Sequence, residues 1–287
     1  MRIGYACINT SIDCTSNATF RLKSYSEKLL REKIKSNLEC LKKILAWNIS
    51  HNIKFFRIGS SLIPFASHQI NKLIWEKEFE KEFKEISNII SKNKIRITMH
   101  PDQFVVLNSP NEKTLKQSIN EIEYHSRDLE QLKTDEKAKI LIHVGGVYGD
   151  KPKSIKRFIE NYNKLPKKIK KHLVIENDDK SYSVKDCLEI NKKTSVPIVF
   201  DIFHHQCLNN GESLNQAFSQ IKKTWMKKDG CPILHYSEQK TNARKGSHSE
   251  TISAKKFKET IEKIKSKDFD IMLEVKDKEK STLKIIG

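Results

Sequence analysis

The sequence predicts an α/β fold, a single (β/α)₈ barrel of the TIM type spanning residues 1–287. Three observations carry that prediction. Eight short β-branched or apolar runs alternate with longer amphipathic segments along the whole chain. A length of 287 residues suits one closed barrel better than two ordinary domains. No glycine-rich phosphate loop follows the first strand, which removes the main reason to expect an open dinucleotide-binding sheet.

The strands are predicted, in order, at Arg2–Cys7, Lys54–Ile58, Ile95–Met99, Ala138–His143, His172–Glu176, Pro197–Asp201, Pro232–Tyr236 and Phe269–Val275. Between them lie segments whose apolar residues recur every three or four positions, including Glu27–Ser50, Ile70–Lys92, Glu112–Leu132 and Ser253–Lys265. Strands alternating with helices make repeated βαβ units and therefore a parallel sheet, which eight units can close into a barrel. The chain contains no Pro/Gly/Ser-rich linker and no low-complexity block, so one domain is expected.

A hydrophobic fraction of 37% supports a buried core, and 31% charged residues keep the outside hydrated. Lysine and arginine exceed the acids enough to give a formal charge of +18, which favours polyanionic partners, nucleic acid before anionic membrane surfaces. Part of that excess also fits a general drift towards lysine, since Lys, Ile and Asn are abundant and glycines number only 9. The six cysteines, at 7, 14, 40, 187, 207 and 231, form no Cys-x-x-Cys pair. That pattern argues against a zinc ribbon, a thioredoxin-like site or a disulfide framework, and favours a reducing compartment. With no basic-then-apolar leader and no apolar stretch near the roughly 20 residues that span a bilayer, a cytoplasmic protein without a membrane partner is expected.

The chemistry stands at the C-terminal ends of the predicted strands. In order come Tyr5 and Asn9, then Ser60, Ser61 and His68, then His100, His143, Glu176, Asp201 with His204 just beyond, His235 and Glu274. In a barrel these ends share one rim, where barrel enzymes hold their active sites. Imidazole and carboxylate are the usual protein ligands of Mn²⁺, Zn²⁺ and related ions, and the set exceeds the needs of one tetrahedral ion. A cluster of two or three divalent ions is expected. Singly, each residue has an ordinary explanation as a hydrogen-bonded strand-end group; together, eight such groups would be costly to bury without metal or partners. His51, His125 and His172 read as ordinary residues on helix surfaces or at a strand start, and His205 ranks behind His204.

These segments resemble the ultraviolet-damage endonuclease family. The stretches that carry the resemblance include Gly4-Tyr5-Ala6-Cys7, Arg57-Ile58-Gly59-Ser60-Ser61, His100-Pro101-Asp102-Gln103-Phe104, His143-Val144-Gly145-Gly146, Glu176-Asn177-Asp178-Asp179, Asp201-Ile202-Phe203-His204, Gly246-Ser247-His248-Ser249 and the run from Met272 to Glu279. The resemblance implies a barrel related to endonuclease IV, with up to three divalent ions, manganese first and Mg²⁺, Co²⁺ or Zn²⁺ as alternatives. It implies incision of duplex DNA on the 5′ side of pyrimidine dimers, 6-4 photoproducts and other lesions, leaving a 3′-hydroxyl. By the same resemblance Glu176 bridges two ions, one shared with His100 and His143, the other with Asp201, His235 and Glu274. His204 and His248 hold a third, with His68 close by. Gln103 and Phe104 fill the gap left by flipped nucleotides, and Tyr5 and Asn9 face the extruded lesion. Without the resemblance, Phe104 in Phe-Val-Val-Leu reads as a core aromatic.

Two positions depart from the family pattern: Phe104 stands where a tyrosine is common, and Ile233 stands where some members carry a lysine near the metals. The expected mechanism is attack on phosphorus by water activated at the metals, with Lys276 and Lys278 as candidate phosphate contacts. The basic surface around the rim is expected to make binding salt-dependent. Competing expectations are an abasic-site endonuclease of the endonuclease IV type, a metal-dependent sugar isomerase, and a non-catalytic DNA-binding protein. No obligate protein partner is expected.

Overall fold

The computed structural model describes residues 1–287. Eight parallel strands close in sequence order: β1 (Ile3–Ala6), β2 (Phe55–Ile58), β3 (Arg96–Met99), β4 (Lys139–His143), β5 (Leu173–Glu176), β6 (Ile198–Asp201), β7 (Ile233–Tyr236) and β8 (Asp270–Leu273). The barrel shuts where Ile3, Gly4 and Tyr5 pair with Ile271, Met272 and Leu273. Each strand lies inside its predicted run.

The helix Glu27–Ser50 forms over the expected span, with the Ser26 side chain accepting from Leu29 N and satisfying one free donor of the first turn. The expected helix over 70–92 instead divides into Trp75–Glu78 and Glu80–Asn93. Before Trp75 the His68 ring and the Asn71 carboxamide accept from Ile70 N and Leu73 N, local bonds that compete with helix formation.

Side chains alternate along a strand, so the strand-end groups that meet inside the barrel define its inward positions. Two residues back from Arg57, His100, His143, Glu176, Asp201, His235 and Glu274 stand Phe55, Thr98, Leu141, Val174, Val199, Ile233 and Met272, all buried. This mostly apolar layer lies directly beneath the polar rim, and Ile233 belongs to it. Below it is a charged floor. Asp270 accepts from Arg2 N at 2.7 Å, Arg2 Nη1 at 3.0 Å and Arg96 Nη1 at 2.9 Å. Arg96 also donates to the carbonyls of Lys137, Cys231 and Asp229.

Two expectations need correction. Cys14 and Cys40 form a disulfide with a Cα–Cα distance of 5.9 Å; the loop after β1 folds back onto helix Glu27–Ser50, a closure that spacing in the sequence does not reveal. His125 is not on a helix surface but fully buried, with Nδ1 donating to the Glu121 carbonyl at 2.8 Å. Likewise His172 is buried at the strand start, and donates to the Ala138 carbonyl. No helix is long and apolar enough to cross a membrane.

Candidate metal centre

Glu176, the last residue of β5, is 1% exposed and central to the rim. Three groups of potential ligands share it: His100 and His143; Asp201 and His204; His235 and Glu274. The groups differ from the expected division in two respects: Asp201 falls beside His204 and Glu176 rather than with His235 and Glu274, and His248, expected to share an ion with His204, lines the cleft outside all three groups. Glu176 Oε1 accepts from His235 Nδ1 at 2.6 Å, while Oε2 lies 3.8 Å from His143 Nε2 and 4.0 Å from His100 Nε2. His204 Nδ1 is 3.5 Å from Asp201 Oδ2.

The chain's own carbonyls set the histidine tautomers. His100 Nδ1 faces the Pro101 carbonyl at 2.7 Å, His204 Nδ1 that of Asn177 at 3.0 Å and His248 Nδ1 that of Glu274 at 2.9 Å. A carbonyl only accepts, so Nδ1 carries a proton in each ring and Nε2 is the nitrogen left to serve as a ligand in the neutral imidazole, the usual arrangement around metal-ligating histidines. The Asp201 Oδ2 and His143 Nδ1 atoms are buried without a hydrogen-bond partner. Imidazoles gathered around the buried Glu176 and an unpartnered Asp201 oxygen are a donor set suited to divalent cations.

Protonation follows the same crowding. Burial raises Asp201 to about 7, and burial also raises Glu176. Burial pulls His204 down, but Asp201, Glu176 and Glu274 together outweigh it and lift the imidazole to about 9. Burial lowers His235 to about 4. Burial likewise pushes Glu274 up, but His235 and Arg57 overcome it and hold the carboxyl well below its usual range.

Arg57 is the residue that strand-end reasoning missed. Its Nη1 is 2.7 Å from Glu274 Oε1 and its Nη2 donates to His235 Nε2 at 2.8 Å. Because the guanidinium only donates, it fixes His235 with the proton on Nδ1, pointing at Glu176. The signal was available: Arg57 occupies the inward position of Phe-Phe-Arg-Ile, level with the other rim groups.

The cleft above this centre measures about 450 Å³ and is lined by Arg57, His100, Gln103, His143, Gly145, Gly146, Asp178, Asp179, Lys180, His204, His248 and Glu274, among others. Gly145 has φ +112, and a Cβ there would collide with Asn108, so backbone rather than side chain forms that wall. Gln103 lines the cleft and Phe104 is 62% exposed beside it, which overturns the reading of Phe104 as a core aromatic. Tyr148, in the loop after β4, is a second exposed rim aromatic that the sequence reading passed over.

Other predicted residues lie apart. Tyr5 is fully buried; its hydroxyl donates to Asn48 Oδ1 at 2.6 Å and accepts from Asn9 Nδ2 at 2.8 Å. Asn9 is buried with it. Both brace β1 against helix Glu27–Ser50 instead of facing the cleft, because Tyr5 occupies the outward parity of its strand. His68 is exposed and outside the three ligand groups. Lys276 is tied to Glu250 at 2.7 Å, and Lys278 is half-buried at the start of the helix Glu279–Ile286.

The rim is less basic than expected. Its βα loops carry about as many carboxylates as cations; Lys240 and Lys276 share Glu250, and Lys180 pairs with Asp179.

Fold and site together define a (β/α)₈ barrel with a histidine–carboxylate centre at the strand ends. The family described as UV-endonuclease UvdE matches residues 1–287. The UV DNA damage endonuclease of Clostridium perfringens is 46% identical over 289 residues, covering 100% of this chain and 70% of the relative. The crystal structure titled SacUVDE superposes with a TM-score of 0.95 at 46% identity, covering 99% of this chain and 96% of that one. Endonuclease IV from Thermus thermophilus, at 11% identity and TM-score 0.55 over 82% of this chain and 87% of that one, shares the fold. The chain belongs to the UV-endonuclease UvdE family, and is thus a DNA-repair endonuclease directed at ultraviolet damage.

Proposed function

We propose that this enzyme incises duplex DNA immediately 5′ to cyclobutane pyrimidine dimers and 6-4 photoproducts, with abasic sites as secondary substrates, and that it needs two or three divalent ions, manganese first. The observation that carries the reading is the set of three ligand groups sharing Glu176 at the foot of an open cleft, beside the exposed Gln103–Phe104 pair. When bound, the ions supply positive charge that polarises the phosphodiester and makes water a stronger nucleophile.

The chain's own residues do the rest. Glu176, Asp201 and Glu274 supply the concentrated negative charge, and His100, His143, His204, His235 and His248 complete the ligand set. Arg57 restrains Glu274 and His235 and is a fixed cation facing the cleft. Flipping the lesion costs least where stacking is already damaged, and Phe104 with Gln103 occupies the space vacated in the duplex. His68, Lys276 and Lys278 are assigned to the DNA backbone at the rim, where Lys276 must leave Glu250 to reach a phosphate. Residues 1–287 act as one domain, without an obligate protein partner, in the cytoplasm where the DNA is.

The test compares three end-labelled duplexes, carrying one pyrimidine dimer, one abasic site or no lesion, incubated with enzyme and Mn²⁺. The proposal expects a nick immediately 5′ to the dimer and weaker cutting at the abasic site. Cutting only at the abasic site would transfer the assignment to endonuclease IV-type chemistry.

A further inference from the structure

We propose that the face of the barrel opposite the metal cleft is a second, lesion-independent binding surface for duplex DNA. The barrel's topology sends every αβ connection to this face, and those connections are where the positive charge collects. The segment from Lys164 to Lys171 alone contains five lysines and no acid. Lys133, Lys192, Lys193 and Lys227 approach from the neighbouring connections and are exposed.

The balance of charge separates the two faces: the βα loops carry nearly equal numbers of acids and cations, whereas the αβ connections carry several lysines for each acid. At the cleft mouth, Lys240 and Lys276 lie 2.7 Å from Glu250, and Lys180 lies 3.4 Å from Asp179. On the opposite face, Lys164, Lys167, Lys168 and Lys171 have no carboxylate within 4.0 Å. The acids of these connections are engaged: Asp229 holds the buried Lys139 at 2.6 Å, Glu136 holds Lys228 at 3.6 Å, Asp135 holds Lys137 at 3.4 Å and Asp268 holds Lys222 at 3.3 Å. Unpaired like charges repel one another and weaken the folded state, a cost that a polyanion removes. Between them runs an open groove of about 560 Å³, bordered by Lys167, Lys168, Lys170, Lys171, Thr194 and Ser195. Ammonium groups and hydroxyls are the side chains that contact phosphates without reading sequence.

The occupant follows from what the groove lacks. It has no exposed aromatic on which bases could stack, which disfavours single-stranded nucleic acid. Met226 is its one strongly exposed large apolar side chain, too little to anchor in a lipid surface. A double-stranded phosphate array fits the spread of charges, and duplex DNA is the polymer that a repair endonuclease meets continuously. Duplex DNA has a persistence length of about 150 bp, so a short duplex held in the cleft does not bend round to the far face. The two faces therefore hold separate segments, which lets the enzyme stay on undamaged DNA while the cleft samples another stretch.

The test uses the full chain, a lesion-free 20-bp fluorescent duplex, and two quadruple variants: Lys164→Gln, Lys167→Gln, Lys168→Gln and Lys171→Gln, and the same four positions changed to Arg. The Gln variant is expected to lose one class of duplex sites, and its plot of log affinity against log salt should flatten by about 3–4 units, near 0.9 per phosphate contact removed. The Arg variant should keep both. Lesion incision in a saturating short duplex should be unchanged in either variant, while incision of a single lesion in plasmid-length DNA should slow in the Gln variant alone. An unchanged stoichiometry and salt slope in the Gln variant would overturn the proposal. Equal loss in the Arg variant would overturn it too, since charge would not be the cause, as would loss of binding to anionic vesicles but not to the duplex. The stoichiometry and salt-slope readouts use lesion-free duplex and do not require incision, so the far face and the cleft stand or fall separately.

Discussion

Changing Glu176 to glutamine keeps the side chain's shape and removes one negative charge at the point shared by all three ligand groups. In metal-free protein the effect on stability should be small. The substitution relieves repulsion with Asp201 and Glu274, while the amide oxygen can still accept from His235 Nδ1. In the presence of Mn²⁺ the two proteins should part. An ion at about 100 times its dissociation constant stabilises the native state by roughly 2.7 kcal/mol for each site. For domains slightly smaller than this chain, 1 kcal/mol moves Tm by roughly 2–4 °C, so one occupied site is worth about 5–10 °C. Thermal denaturation in Mn²⁺ and in EDTA measures this directly. Wild type should show the full shift, and Glu176→Gln less than about 2 °C by the same scaling. A variant that keeps the wild-type shift would place the ions elsewhere and refute the shared-ligand argument.

Three further outcomes are expected. Asp270→Ala leaves the 3%-exposed Arg96 side chain without its charge partner at the barrel floor, and should lower the urea-unfolding free energy by about 3–5 kcal/mol; a loss below about 1 kcal/mol would contradict that role. Burial holds His125 at about 4, below the unfolded value of 6.5, so the unfolded chain binds the extra proton first. Its contribution is full above pH 6.5 and fades towards pH 4, so the stability difference between wild type and His125→Leu should change by on the order of 3 kcal/mol across that window, and pH-independence would show that His125 does not titrate there. Phe104→Ala should change stability by less than about 0.5 kcal/mol, because the ring is largely exposed. The same change should lower the preference for a dimer-containing over an undamaged duplex by roughly the 1–3 kcal/mol of one stacking contact, read from paired Kd measurements.

Much of the barrel was legible because strand and helix periods differ and eight alternations leave few topologies. The rim was legible as well: strand-end parity brings His100, His143, Glu176, Asp201, His235 and Glu274 together whatever the loops do. What escaped depended on parity and on tertiary closure. Tyr5 belongs to a motif, yet its outward position sends the hydroxyl to Asn48. Arg57 has the inward position, yet an isolated arginine in an apolar strand gives no hint of Glu274 and His235 until the barrel closes. The Cys14–Cys40 bond depends on a loop folding back onto a helix, and the total charge of +18 does not reveal that the rim is nearly balanced while the far face is not.

Lesion-directed incision is assigned to the histidine–carboxylate centre, and metal dependence ties the two together. The most direct measurement titrates Mn²⁺ into metal-depleted enzyme and follows cutting of a duplex with one pyrimidine dimer, with bound metal and product ends quantified in the same samples. Cutting should rise in step with two or three bound ions, fall immediately 5′ to the dimer, leave a 3′-hydroxyl, and be absent with Glu176→Gln. Wild-type rates in metal-depleted enzyme, or undiminished cutting by Glu176→Gln, would show that the incision does not depend on this centre.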